Sequence, residues 1–141
     1  MRRALLQIAR AHPTRASFLP PALLSQTRKM PTIVDGVDFA HVAREWRCKW
    51  DTADDKASLA ACQKALATKL DAIKAVPGVV SVQRVVCGGC QDFKVIAKLE
   101  AAKFADWEAA AFAPEAEFLK EVEAIPGVKK VETQTFTLED L

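Results

Sequence analysis

The chain carries one near-repeat, and that repeat limits the possible folds more than any other feature. "LDAIKAVPGVVSVQ" from Leu70 aligns with "LKEVEAIPGVKKVE" from Leu119 at a constant offset of 49 residues. Each copy reads as the end of an amphipathic helix, a Pro-Gly break (Pro77-Gly78 and Pro126-Gly127), and a strand entered through Val79 or Val128. Proline cannot continue a helix, and glycine accepts the left-handed backbone that turns a chain out of one. A stacked solenoid needs three or more such units. Two units predict one domain assembled from two similar halves.

The flanking segments complete each half. In "EWRCKW", Trp46, Cys48 and Trp50 alternate with Arg47 and Lys49, as in a half-buried strand. Thr52 with Asp55 resembles a capping box, and the helix after it places Leu59, Cys62, Leu66, Leu70 and Ile73 along one stripe. Two strands follow, about Val79–Val86 and Gln91–Leu99. The second helix carries Phe104, Trp107 and Ala111, is interrupted near Pro114, and resumes with Phe118, Val122 and Ile125. Its acids (Glu108, Glu115, Glu117, Glu121, Glu123) read as a solvated face, and a last strand runs from about Lys130 to Leu138. The order β-α-β-β-α-β predicts an α+β, ferredoxin-like sandwich: a four-stranded antiparallel sheet with two helices on one face. Right-handed crossovers put the third strand between the first and second, and the fourth beside the first.

Between strands two and three lies "RVVCGGCQDF". Gly88-Gly89 suits a two-residue type I′ turn, which sets Cys87 opposite Cys90 and pairs Val82 with Val95 and Val80 with Ala97. These apolar residues then go under the helices with Phe93, Leu99 and the tryptophans. The open face becomes Arg47, Lys49, Gln83, Lys94, Lys98, Glu132 and Gln134, with Val85, Ile96, Phe136 and Leu138 among them. Such a face can be solvated, cover a second copy, or bind a ligand. Its apolar members favour a homodimer or a place in a protein complex.

Two stretches carry a family resemblance. "AVPGVVSVQRVVCGGCQDFKVIAKL", then "FLKEVEAIPGVKKVETQTFTLED", resembles the ligand-binding and oligomerisation domain of the AsnC/Lrp family over about residues 70–140. More broadly it is similar to the dimeric α/β-barrel proteins. Gly89, Asp92 and Val131-Glu132-Thr133 stand where that family has its glycine-bearing turn, an acidic residue and a closing strand. The resemblance implies a subunit that dimerises through its sheets and holds a small effector near the turn between strands two and three. No helix-turn-helix segment precedes the sheet here, which removes the case for transcriptional regulation.

Charge is distributed unevenly. Residues 1–30 contain six basic groups and no acid, while the remainder has 14 basic and 18 acidic residues, a net of −4. An Arg-rich, acid-free, hydroxyl-bearing start has the composition of an organelle transit peptide, mitochondrial or alternatively plastid. The domain plan is a transit segment over 1–30, a linker over 31–44 and the α/β domain over 45–141. The acidic remainder argues against a nucleic-acid partner. No run of 18 apolar residues offers a transmembrane helix.

The candidate site residues are few. Cys87 and Cys90 form a possible redox or metal pair: incidental thiols in a turn, a reversible disulfide, or half of a metal site shared between subunits. Cys48 and Cys62 fall on the core face and read as packing residues. The only histidines are His12 and His41, too few for a structural zinc site, and His41 reads as a surface or linker residue. Arg47, Lys49, Lys94 and Lys98 can hold an anionic ligand or be ordinary strand charges, and the resemblance adds Gly89 and Asp92 to the ligand-binding candidates. No catalytic constellation, nucleotide-binding glycine loop or tyrosine is present. No cofactor is predicted; the alternative is zinc or another thiophilic metal at Cys87 and Cys90. These readings combine into a small, non-catalytic organellar protein acting by self-association or as an accessory component. Thiol-redox or metal handling, and ligand binding on the open face, stand as alternatives.

Overall fold

The computed structural model describes residues 30–141. The basic segment on which the transit-peptide expectation rests, residues 1–29, lies outside the described residues. The elements follow in the order β1 (His41–Lys49), α1 (Ala53–Lys74), β2 (Val79–Cys87), β3 (Asp92–Glu100), α2 (Ala101–Ala109), α3 (Glu115–Glu123) and β4 (Lys129–Leu138). The sheet runs β2-β3-β1-β4 with every neighbouring pair antiparallel. This is the predicted ferredoxin-like fold, with the second helix split into α2 and α3 at Pro114.

Alternation along the strands builds the core. Trp46, Cys48 and Trp50 join Phe93, Val95, Ala97 and Leu99 of β3 beneath Cys62, Leu66 and Ile73 of α1, Trp107 of α2, and Phe118 and Val122 of α3. Each large side chain fully removed from water contributes about 1.5–3 kcal/mol. The two repeat glycines have matching roles. Gly78 (φ +89°) and Gly127 (φ +87°) are left-handed, the first against Lys103 and the second against the Asp51 carboxylate.

Four local readings are corrected. First, Gly88 and Gly89 do not form a type I′ turn. Both central residues of such a turn need positive φ, and here the left-handed residue is Gln91 (φ +54°). The loop therefore has four residues, Gly88 to Gln91, and Cys87 pairs with Asp92 rather than Cys90. Val82 pairs with Ala97 and Val85 with Lys94, a slip of two residues that leaves Ser81 to Cys87 on their expected faces. Second, an irregularity between Val79 and Ser81 takes Val80 out of the pairing. Val80 is 51% exposed, and Val79 takes its place against the core.

Third, Thr52 does not cap α1. Asp54, Asp55 and Lys56 are left-handed, so the regular helix starts after them, and the buried Ser58 hydroxyl instead donates to Asp51 Oδ1 at 2.9 Å. Fourth, Glu115 is not a solvated acid. It accepts from Arg44 Nε (2.7 Å) and Nη2 (2.9 Å) and from Trp46 Nε1 (2.6 Å). Arg44 also lies 4.2 Å from the centroid of the Phe112 ring, so one ion pair locks β1 to the start of α3.

Candidate functional site

The register assembles the open face as a stack of cross-strand rows. From the hairpin end, these are Cys87–Asp92–Lys49, then Val85–Lys94–Arg47–Glu132, then Gln83–Ile96–Glu45–Gln134, then Ser81–Lys98–Ala43–Phe136. His41 lies beyond them, between Glu100 and Leu138. Glu45 thus occupies the centre of the face. Its residue is only 5% exposed.

Burial of that carboxylate is incompletely compensated. Lys94 Nζ is 3.7 Å and Arg47 Nη1 4.0 Å from Glu45 Oε1, which accepts no hydrogen bond. Among the described residues, three buried side-chain polar atoms have no partner: Glu45 Oε1, His41 Nδ1 and Ser81 Oγ. All three belong to the open face. An orphaned buried polar group costs about 1–3 kcal/mol, so three on one surface call for an explanation.

The hairpin end of the face is charged and paired. Lys49 Nζ sits 2.6 Å from Asp92 Oδ1 and donates to the Cys90 carbonyl at 2.7 Å. The Lys49 ammonium, aided by Lys94 and Arg47, holds the Asp92 carboxyl below the usual carboxylate range, against a partial loss of solvent. Arg47 Nε donates to Glu132 at 2.8 Å, and that carboxylate raises the guanidinium's pKa further. Arg47, Cys48, Lys49, Asp92, Lys130 and Glu132 line a cavity of about 210 Å³.

Of the residues singled out in the sequence, the fold brings together Arg47, Lys49, Asp92 and Lys94 and leaves Gly89 at the hairpin tip with open space around it. Cys87 and Cys90 are joined as a disulfide, so in this form neither sulfur is a thiolate that could hold zinc. Cys48 and Cys62 lie in the core with their sulfurs 3.8 Å apart, on the opposite side of the sheet. The hydrogen bond to Cys62, together with burial, pushes the Cys48 thiol up.

Glu45, Ser81 and His41 were missed. Extending the alternation of "EWRCKW" back through Ala43 to His41 would have found two of them, because β1 begins four residues before Glu45, inside the stretch read as linker. His41 is a strand residue, not a linker residue.

No family model and no curated protein sequence matches the chain. Solved structures do. A Deinococcus radiodurans protein classed with the antibiotic biosynthesis monooxygenases superposes with a TM-score of 0.53 at 8% identity, covering 71% of this chain and 94% of that one. A Streptomyces coelicolor monooxygenase in complex with the ligand nanaomycin D gives 0.52 at 17% identity, with 73% and 90% covered. A variant of SnoaB, a cofactor-independent oxygenase from Streptomyces nogalater, gives 0.50 at 18% identity, with 72% and 96% covered. What is shared is the fold.

The comparison corrects the functional expectation. These three solved proteins of the same ferredoxin-like fold are described as monooxygenases and an oxygenase, not as non-catalytic accessory components. It also supports the ferredoxin-like, dimeric α/β-barrel part of the resemblance and not the AsnC/Lrp domain in particular.

Proposed function

We propose that the open sheet face binds a small organic molecule and that the protein is an enzyme of the cofactor-independent oxygenase kind. One observation carries this reading: the three orphaned buried polar atoms, Glu45 Oε1, His41 Nδ1 and Ser81 Oγ, share that face. A bound molecule with donor and acceptor groups would satisfy them. The monooxygenase and oxygenase descriptions of the structural neighbours support the chemistry. At Gly89, the turn glycine of the AsnC/Lrp resemblance, an added Cβ would meet only open space.

In this scheme Glu45 takes a proton from the substrate, and Lys94 and Arg47 face the negative charge that results. With no cofactor to supply electrons, dioxygen draws them from the substrate, and a substrate that has lost a proton gives them up more readily. A second copy closes the site by laying its own open face over Val85, Ile96, Phe136 and Leu138. That closure excludes water and strengthens every charge interaction inside.

The test combines thermal shift and oxygen uptake with a panel of small hydroxyaromatic compounds in metal-free buffer. Compounds that raise Tm are expected to be consumed with oxygen. Glu45→Gln is expected to slow that consumption about 100-fold or more while binding persists. Binding and turnover unchanged in both Glu45→Gln and Lys94→Ala would put the site elsewhere.

A further inference from the structure

The hairpin disulfide has features that a structural staple does not need. It links residues only three apart, with Cα atoms 5.5 Å apart, so the loop it closes is very short. A cross-link contributes stability mainly by closing a long loop in the unfolded chain, and here that contribution is small. The tip of the loop is open: a Cβ at Gly88 or Gly89 would meet no atom within 4 Å. Cys90 is exposed, while Cys87 is half-buried at the end of β2.

The two sulfurs are also unequal in surroundings. The Cys90 backbone N–H donates to Cys87 Sγ at 3.1 Å. Lys49, in the same cross-strand row as Cys87, anchors the loop through the Cys90 carbonyl, and Lys94 follows in the next row. A thiolate at Cys87 would therefore keep the Cys90 N–H as a hydrogen-bond donor, and Lys49 offsets the Asp92 carboxylate that stands opposite it.

We infer that Cys87–Cys90 is a thiol-exchange site whose substrate is a dithiol. A thiolate of the donor attacks the exposed Cys90 Sγ. A donor–Cys90 bond forms, the Cys87–Cys90 bond breaks, and its electron pair leaves on Cys87 as a thiolate held by the Cys90 N–H. The donor's second thiol, deprotonated, then attacks its own sulfur in the mixed disulfide and expels the Cys90 thiolate. The donor ends as a disulfide and the protein as two thiols. Two electrons are transferred, and the donor's two protons balance the two new thiols. Oxidation by a small disulfide reverses the sequence. This inference is independent of the reading of Glu45, because it depends on the hairpin and its contact with Lys49.

The experiment uses the full chain under native conditions with mixtures of reduced and oxidised dithiothreitol, trapping by N-ethylmaleimide, and peptide mass mapping. The 87–90 peptide is expected to pass from no label to two labels within minutes and to return to none in the oxidised mixture. Cys48 and Cys62 should stay unlabelled until denaturant is added. With Cys87→Ser, dithiothreitol should leave Cys90 single and rapidly labelled; with Cys90→Ser, the remaining Cys87 thiol should react with the label at lower pH than an ordinary cysteine. Labelling of 87–90 only in denaturant would overturn the inference. So would failure to re-form the bond in the folded protein, or loss of native structure on reduction.

Discussion

Lys94 stands 3.7 Å from the buried Glu45 carboxylate at the centre of an otherwise open sheet, close enough to attract it and too far to hydrogen-bond. The consequence for stability is asymmetric. Lys94→Ala strands a buried charge and should destabilise the protein by about 1–3 kcal/mol, whereas Glu45→Gln removes that charge and should leave stability unchanged or raised. Urea unfolding of the two variants checks the contrast.

Glu115 should be among the most sensitive acids in the chain. Its carboxylate satisfies both the Arg44 guanidinium and the Trp46 indole N–H, and Arg44 and Glu115 side chains are only 13% and 15% exposed. Glu115→Ala is expected to cost about 2–4 kcal/mol by leaving a cation and an indole donor unpaired. Glu123→Ala, on the exposed side of the same helix, should cost under about 0.5 kcal/mol.

The repeat predicts paired behaviour at its two glycines. At Gly78 a Cβ would fall 2.5 Å from Lys103 Cβ, and at Gly127 it would meet the Asp51 carboxylate that Ser58 holds. Both positions also have positive φ. Gly78→Ala and Gly127→Ala should each destabilise by more than about 1 kcal/mol, while Gly88→Ala is tolerated. Thermal unfolding of the three variants tests the equivalence of the halves.

Acid should weaken the hairpin end only at low pH. The Asp92 carboxyl titrates below its ordinary value because of Lys49, so its contribution is present above about pH 3.9 and disappears as pH falls through the lowered folded value. Asp92→Asn should flatten the fall of Tm between about pH 4 and pH 2. Added salt should have the same effect on the wild type, since the pair is partly exposed.

Ile96 pairs directly with Glu45 and is the apolar residue nearest the centre of the face. If a second copy covers that face, Ile96→Glu places like charges together and should convert a dimer to a monomer by light scattering at micromolar concentration. A wild-type monomer would remove the proposed closure of the site.

The parts of this structure legible in the sequence are those encoded locally. The Pro-Gly-Val repeat marks where each half turns, and the Trp46, Cys48, Trp50 alternation orients β1 correctly. What escaped was long-range. The partners of Glu115 are Arg44 and Trp46, 71 and 69 residues away, so its burial leaves no trace in the local pattern. Glu45 alternates with Arg47 and Lys49 as a solvated acid would, yet it is buried at the middle of the sheet. The hairpin misled for a different reason. Gly-Gly permits a type I′ turn without requiring one, and the left-handed backbone went to Gln91 instead.

That four-residue hairpin also limits how the chain can change length. Losing Gly88 and Gly89 together would shorten the loop yet keep Val82, Val85 and Cys87 on the sides of the sheet they now occupy. Losing one glycine alone would leave a three-residue loop, a length that hairpins also accept, around the same Cys87–Asp92 pair. The tip is therefore constrained less by the sheet than by the disulfide, whose two cysteines must keep a spacing that lets their sulfurs meet.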